Sequence, residues 1–359
     1  ISELALVFDI CSWRKGALVP IPSPLPWAAV ALKWYESKGL ELKRSKLSET
    51  NNEEILVKIH SCGICGSDIK ILKFGNSRLS SGRTMGHEIA GEIIEVGSKV
   101  KKFNAGDRIS IGADIPNHGD DLAFGHELDG GFAEYMLINK NYLETGPIEK
   151  FDSINFDIAS LAEPLACCIN GYEKVNFKPH SSVLILGAGT IGIMLSFLAK
   201  IYKIPKIFVA DIVKKRIQNL KKFDFLTKCF DLTNENIYDW KKNNHPFDLI
   251  FTANNNPKSQ QQAVKLIESK SIVNFFGGLP KIESEVKINT NNIHYKEAII
   301  TGSHGSSPEQ HKKALRIIEK YPSFFESLIS KRFALKDYRK AIKEASNPEN
   351  FKIMIKPNL

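Results

Sequence analysis

The sequence predicts an α/β protein of two domains, one β-rich and antiparallel, the other a doubly wound parallel sheet. Three observations carry this. At 359 residues the chain is too long to be served well by one core. From Trp27 to Ile138, short β-rich runs are separated by Gly-Ser, Ala-Gly-Asp and Asp-Gly-Gly turns. From Ser182 onward, continuous apolar runs of the kind a doubly buried strand requires alternate with helical stretches.

Composition narrows the class further. With 43% hydrophobic and 25% charged residues, the chain reads as soluble and globular. It carries nine excess positive charges, but the lysines are mixed with Asn and Glu throughout and no basic run is interleaved with aromatics, so a nucleic-acid partner is not expected. Six cysteines at irregular spacing make no disulfide framework, and a reducing cytoplasm is the expected home.

Residues 1–27 form an N-terminal extension. Leu4 to Cys11 is apolar apart from Asp9, but the run is too short to span a membrane, and Glu3 stands where a signal peptide is basic. Pro20, Pro22, Pro24 and Pro26 then alternate through a stretch that cannot be helical. Strands are expected at Ala29–Trp34, Glu54–Ile59, Ile89–Val96, Arg108–Ile111 and Phe132–Ile138, with polar, turn-prone residues between the first two. Val183–Leu186 opens the parallel sheet, and strands at Lys206–Ala210, Leu249–Thr252, Ser271–Phe276 and Ala298–Gly302 continue it. A helix over Gln310–Lys320 and a closing strand near Phe351–Ile355 are expected to return to the first domain.

Two runs carry metal chemistry. Gly63-Ile64-Cys65-Gly66-Ser67-Asp68 offers a thiolate, and Gly86-His87-Glu88-Ile89-Ala90-Gly91 offers an imidazole with a carboxylate beside it. These are the side chains of an open zinc site, and Glu163 is a third candidate brought in by folding. Cys62 and Cys65 could instead be half of a zinc knuckle, but no second pair completes it. Cys167 stands four residues after Glu163 and is a rival ligand.

A second motif follows the strand Val183–Leu186. Gly187-Ala188-Gly189-Thr190-Ile191-Gly192 runs into an apolar helical segment, and Asp211 closes the next strand 22 residues after Gly189. The glycines let a pyrophosphate approach the backbone at a helix N-terminus, and the acid stands where an adenosine ribose is met. Asp211 would accept from both ribose hydroxyls and repel a phosphate there, so NAD is expected in preference to its 2′-phosphorylated form, an expectation that Lys214, Lys215 and Arg216 nearby weaken.

Over residues 28–359 the chain resembles the medium-chain zinc-dependent dehydrogenases, in particular their sorbitol (iditol) and threonine dehydrogenase branch. The motifs that carry the resemblance are Cys65-Gly66-Ser67-Asp68, Gly86-His87-Glu88 with Gly91, Gly97 and Val100, and Ala105-Gly106-Asp107-Arg108. Glu163-Pro164-Leu165, the dinucleotide motif, Phe276-Gly277-Gly278-Leu279-Pro280, and His294-Tyr295-Lys296-Glu297 with Thr301-Gly302-Ser303 complete the set. The resemblance implies a GroES-like catalytic domain over 28–169 and 305–359, and a Rossmann domain over 170–304.

It also implies roles. Cys65 and His87 hold one catalytic zinc per chain, and Glu88 and Glu163 share the remaining protein contact. Ser67 accepts the substrate proton, and Asp68 orients His87. Gly187, Gly189, Thr190, Ile191, Gly192, Asp211 and Arg216 bind NAD. The implied activity is oxidation of a secondary alcohol of a polyol, sugar or sugar phosphate to the ketone, in a homodimer or homotetramer paired through Glu297–Gly302. A non-catalytic relative or a zinc-free reductase of the quinone-reductase type are the other readings, and neither needs Cys65, His87, Glu163 and Ser67 together.

The chain departs from the family at two places. Relatives often carry a second zinc on a lobe of four cysteines, whereas Gly112–Gly131 contains none and offers only His118 and His126. Lys70 occupies a position where the superfamily often has a proton-relaying histidine.

Overall fold

The computed structural model describes residues 28–75, 79–116, 122–177, 181–244 and 247–359. The extension expected over 1–27, with Cys11, and the loop residues His118, Asp120 and Asp121 lie outside them.

The β-rich part begins with β1 (Ala28–Tyr35) paired antiparallel to β2 (Gly39–Lys46). The second strand falls where sequence patterning expects only a polar connection. Its residues, Gly-Leu-Glu-Leu-Lys-Arg-Ser-Lys, end in an exposed half, so the ladder to β1 holds it extended rather than burial. The chain continues through β3 (Ile55–Gly63), β4 (Glu88–Val96) and β5 (Arg108–Ile111). A short hairpin of β6 (Asp114–Ile115) and β7 (Leu122–Ala123) follows, then β8 (Tyr135–Ile138) and β9 (Ile148–Lys150). All but two residues of β3, Lys58 and His60, are buried, because β4 pairs on one side of it and β8 on the other.

The helix Ala162–Glu173 leads into the second sheet, built from β10 (Ser182–Leu186), β11 (Lys206–Asp211), β12 (Lys228–Asp231), β13 (Leu249–Thr252), β14 (Ile272–Phe275) and β15 (Ile299–Gly302). Every pairing in it is parallel, in the order β12-β11-β10-β13-β14-β15. The central strands β10 and β13 are buried along their whole length, which explains their unbroken apolar sequences. Winding reverses between β10 and β13, and this switch point opens a crevice at the carboxyl ends of the strands.

The chain then returns. The helix Pro308–Lys320 starts at a capping box made by Ser307 and Gln310, and β16 (Ile329–Ala334) and β17 (Lys352–Lys356) close the first sheet. β17 lies against β3, with Met354 opposite Gly63 and Ile355 opposite Cys62.

The helix Ala162–Glu173 is the seam between the sheets. One buried cluster runs through it from Ala90 and Met354 to Ile185 and Val209. Glu163 sits in its first turn, whereas Tyr172 at its far end packs on Phe251 and donates to the Leu195 carbonyl at 2.9 Å. The domain boundary expected after residue 169 therefore falls inside this helix.

Candidate active site

Cys65 ends the turn after β3 and is the N-cap of the helix Gly66–Phe74. Its backbone N–H donates to Asp68 Oδ2 at 2.9 Å, so the first helical turn fixes the thiol and the acid together. The β3–β4 ladder ends with Gly63 opposite Glu88, which sets Glu88 and the preceding His87 beside Cys65. One ligand atom from each of Cys65, His87 and Glu88 lies within 4.8 Å of the others. Gly63 is required here, because a Cβ on it would come within 1.9 Å of Glu88 Oε2.

The imidazole is addressed from two sides. Its Nδ1 lies 3.6 Å from Asp68 Oδ1, and its Nε2 lies 3.2 Å from Ser67 Oγ. Glu163, buried in the first turn of its helix, is not one of this trio, but its charge acts on His87. Cys167 Sγ donates to Glu163 Oε1 at 3.5 Å, and burial pushes its thiol well up, which makes it a poor thiolate donor.

The electrostatics call for a cation. Burial, followed by the charges of Glu88 and Asp114, raises the Glu163 carboxyl to about 7. Burial pulls His87 down, yet the negative charges of Asp68, Cys65 and Glu163 prevail and hold it well above its ordinary value. Glu88 Oε2 is buried without a hydrogen-bond partner among the described residues. An orphaned carboxylate oxygen beside a thiol and an imidazole is a donor set that fits zinc.

Two side chains at the site escape the sequence reading. Lys352 on β17 is buried, with Nζ 2.5 Å from Glu88 Oε1 and 3.3 Å from the Ile64 carbonyl. The available signal was a lysine inside the apolar run Phe351–Ile355, since a buried ammonium needs an acid partner. His126 stacks on His87 with ring centroids 5.3 Å apart and planes 28° from parallel. Sequence spacing offers it only as a ligand in the second-metal lobe, because the return of the β6–β7 hairpin over the site is not a local property.

The glycine motif forms the turn that joins β10 to the helix Thr190–Ile201, with Gly189 as N-cap. Gly187 has φ of 121° and packs on the Ala253 carbonyl. A Cβ on Gly192 would come within 1.8 Å of the Gly187 carbonyl oxygen, so the turn closes only on glycine. The N-terminus of this 12-residue helix follows the carboxyl end of β10 and has no side-chain cap, which suits it to a diphosphate. Thr190 and Ile191 are half-buried at its first turn.

Asp211 is tied to that turn. Its Oδ2 accepts from Ala188 N at 2.7 Å and its Oδ1 from Val213 N at 2.8 Å, and Arg216 Nη1 stands 3.5 Å from Oδ2. The carboxylate thus braces the backbone of the turn, and the Arg216 guanidinium lies alongside Gly189. Lys70 reaches the loop after β14, where its Nζ donates to the Leu279 carbonyl at 3.2 Å. His304 is exposed, and its carbonyl accepts from Asn170.

Residues 51–148 match the model of the alcohol dehydrogenase GroES-like domain, and residues 190–320 match that of the zinc-binding dehydrogenases; together the matches span well over half of the chain. The chain belongs to the medium-chain zinc-dependent alcohol and polyol dehydrogenases. Among its relatives, the sorbitol dehydrogenase of Bacillus subtilis (strain 168) is 24% identical, over 93% of this chain and 99% of that protein. The D-altritol 5-dehydrogenase of Agrobacterium fabrum is 26% identical, over 90% of this dehydrogenase and 98% of its own length. A zinc-binding dehydrogenase from Sinorhizobium meliloti 1021, solved bound to NADP, superposes with a TM-score of 0.83 at 22% identity, covering 92% of this chain and 99% of that one. Zinc and a nicotinamide dinucleotide are the cofactors of this family. No helix among the described residues is long and apolar enough to cross a membrane.

Proposed function

We propose that the dehydrogenase oxidises a secondary alcohol of a polyol or sugar to the ketone, with NAD as hydride acceptor, at one zinc per chain held by Cys65, His87 and a glutamate. The convergence of Cys65, His87 and Glu88 within 4.8 Å carries this reading. When bound, zinc supplies Lewis acidity at the substrate oxygen and the nicotinamide accepts the hydride.

The chain's own residues do the rest. Glu88 and Glu163 share the remaining protein contact to the metal, and Lys352 restrains one oxygen of Glu88. Ser67 Oγ, beside His87 Nε2, takes up the proton of the substrate hydroxyl. Lys70 is occupied by the Leu279 carbonyl, so that proton leaves to solvent rather than through a relay at this position. Gly187, Gly189, Thr190, Ile191 and Gly192 cradle the diphosphate, and Asp211 meets the adenosine ribose with Arg216 adjacent.

The catalytic domain comprises 28–169 and 305–359 and the cofactor domain 170–304, with the helix Ala162–Glu173 common to both. Free cysteines support a cytoplasmic enzyme. Two copies pair through β15, the outermost strand of its sheet, which carries the exposed Ile299 and follows the exposed Tyr295.

Replacement of Cys65 by Ser, or of His87 by Ala, tests the metal reading. Both variants are expected to lose turnover and their zinc, measured against about one ion per chain in the parent protein, while retaining binding of reduced cofactor. Full turnover in a variant shown to be metal-free would overturn the reading.

A further inference from the structure

The side chain of Lys70 bridges the helix beside the metal cluster and a loop of the second sheet. It stands one turn beyond Ser67 on the helix Gly66–Phe74, whose N-cap is Cys65, so it shares a face with the hydroxyl that reaches His87. Half-buried, it ends with Nζ donating to the Leu279 carbonyl at 3.2 Å. A cleft of about 350 Å³ lies here, lined by Lys70, Lys73 and Phe74 from the helix and by Asn256, Pro280 and Glu283 from the loops after β13 and β14.

The loop that Lys70 holds leaves the carboxyl end of β14 and is locked to the end of β13. Gly277 N donates to the Thr252 carbonyl at 2.8 Å, and Gln260 Nε2 donates to the Gly277 carbonyl at 3.2 Å. A Cβ on Gly277 would lie 2.0 Å from the Asn254 carbonyl oxygen, so the two strand ends are packed as one piece. In the sheet, β13 and β14 follow β10 on the side away from β11. A dinucleotide with its diphosphate at the Gly187–Gly192 turn and its adenosine ribose at Asp211, the end of β11, extends its nicotinamide half the other way, toward the ends of β13 and β14.

We propose that Lys70 is a positioning residue for the nicotinamide half of the cofactor: by tying the Leu279 carbonyl to the helix that carries Ser67, it holds the loop after β14 in place and slows release of the reduced cofactor. This rests on reading the crevice as the dinucleotide site of a dehydrogenase. An ammonium donating to a carbonyl is a stronger tie than a neutral pair. Lys70 acts on protein backbone and touches none of Cys65, His87 and Glu88, so the tie can be cut without disturbing the metal ligands.

Release of NADH or NADPH, whichever the parent protein binds more tightly, is followed from the zinc-loaded protein by stopped-flow fluorescence against excess oxidised cofactor. Lys70→Met keeps the length of the side chain and removes its donors. Release is expected to be roughly tenfold faster, with Kd raised by a similar factor, as loss of one charge-assisted hydrogen bond implies. Lys70→Arg keeps a cationic donor and should stay within about threefold of the parent. If the methionine variant does not fold, Lys70→Gln, whose shorter neutral side chain cannot restore the tie, replaces it with the same expectation. Release unchanged in the variant that lacks the ammonium overturns the proposal. So does a fall in zinc content and cofactor-free melting temperature that accompanies the loss of affinity, which would make Lys70 a general support of the fold. A parent protein that binds neither reduced cofactor overturns the dinucleotide reading and this inference with it.

Discussion

Lys352 is 5% exposed, and a lysine so placed stays charged only beside an acid. Burial works against its charge, but Glu88 and Cys65 outweigh it and raise its pKa. Removing one member of such a buried pair costs about 3–5 kcal/mol, because the other charge is stranded. Lys352→Met is therefore expected to destabilise the metal-free protein by that order, read from the midpoint of denaturant unfolding. Zinc offers the stranded Glu88 a new partner, so the same substitution should cost markedly less in the zinc-loaded protein. Equal losses with and without metal would show that Glu88 and the metal do not communicate.

His311 gives a second prediction at this scale. It is fully buried, its Nε2 lies 3.1 Å from Ser110 Oγ, and its Nδ1 has no hydrogen-bond partner among the described residues. Since Ser110 Oγ already donates to the Ala159 carbonyl, Nε2 carries the proton. Burial pushes the imidazole down to about 4 from an ordinary 6.5. Above pH 6.5 it is neutral in both folded and unfolded states and has no effect on stability. Between 6.5 and 4 only the unfolded chain takes up the proton, so stability falls as pH falls, by roughly 3 kcal/mol across the window. His311→Leu should flatten that part of a stability-against-pH curve, measured by urea unfolding at constant salt.

At the scale of elements, the link between β10 and the helix Thr190–Ile201 tolerates no side chain at Gly192, where the obstacle is the Gly187 carbonyl, a backbone atom that cannot swing aside. Gly192→Ala must open the turn, at about 1–3 kcal/mol of strain. Cofactor binding should weaken more than ten-fold in a titration of reduced-nicotinamide fluorescence, while Cys65 and His87 still hold zinc. Loss of the metal as well would mean that the two sites are not mechanically separate. β2 makes the complementary point: an exposed outer strand shows little hydrophobic alternation, so only its partner β1 reveals it.

Over the whole molecule, the parallel sheet ends in β15, whose outer edge has no strand partner among the described residues. An exposed strand edge with the exposed side chains of Tyr295 and Ile299 on and just before it is a template for pairing with a second copy. Ile299→Lys is expected to abolish the proposed pairing through β15 in sedimentation, with the fold kept. An unchanged sedimentation coefficient at micromolar concentration would place the interface elsewhere.

Local chemistry made much of this protein legible from sequence. The strands Arg108–Ile111 and Leu249–Thr252 have the bounds their β-rich and buried patterns predict, because residue type, turn signals and burial agree there. The metal and glycine motifs are likewise visible, since their residue types stand together in short runs, and in the glycine motif Gly187 at positive φ and Gly192 against Gly187 answer to steric demands within a few residues. What only tertiary structure decided is who stands beside whom. Lys352 lies 264 residues from Glu88 and becomes its ion partner because β17 inserts next to β3. Asp114 meets Ser306 across 192 residues, and His126 reaches His87 through a hairpin whose strands have only two residues each. A buried charge or a shared oxygen is a relation between distant segments, and no periodicity along the chain encodes it.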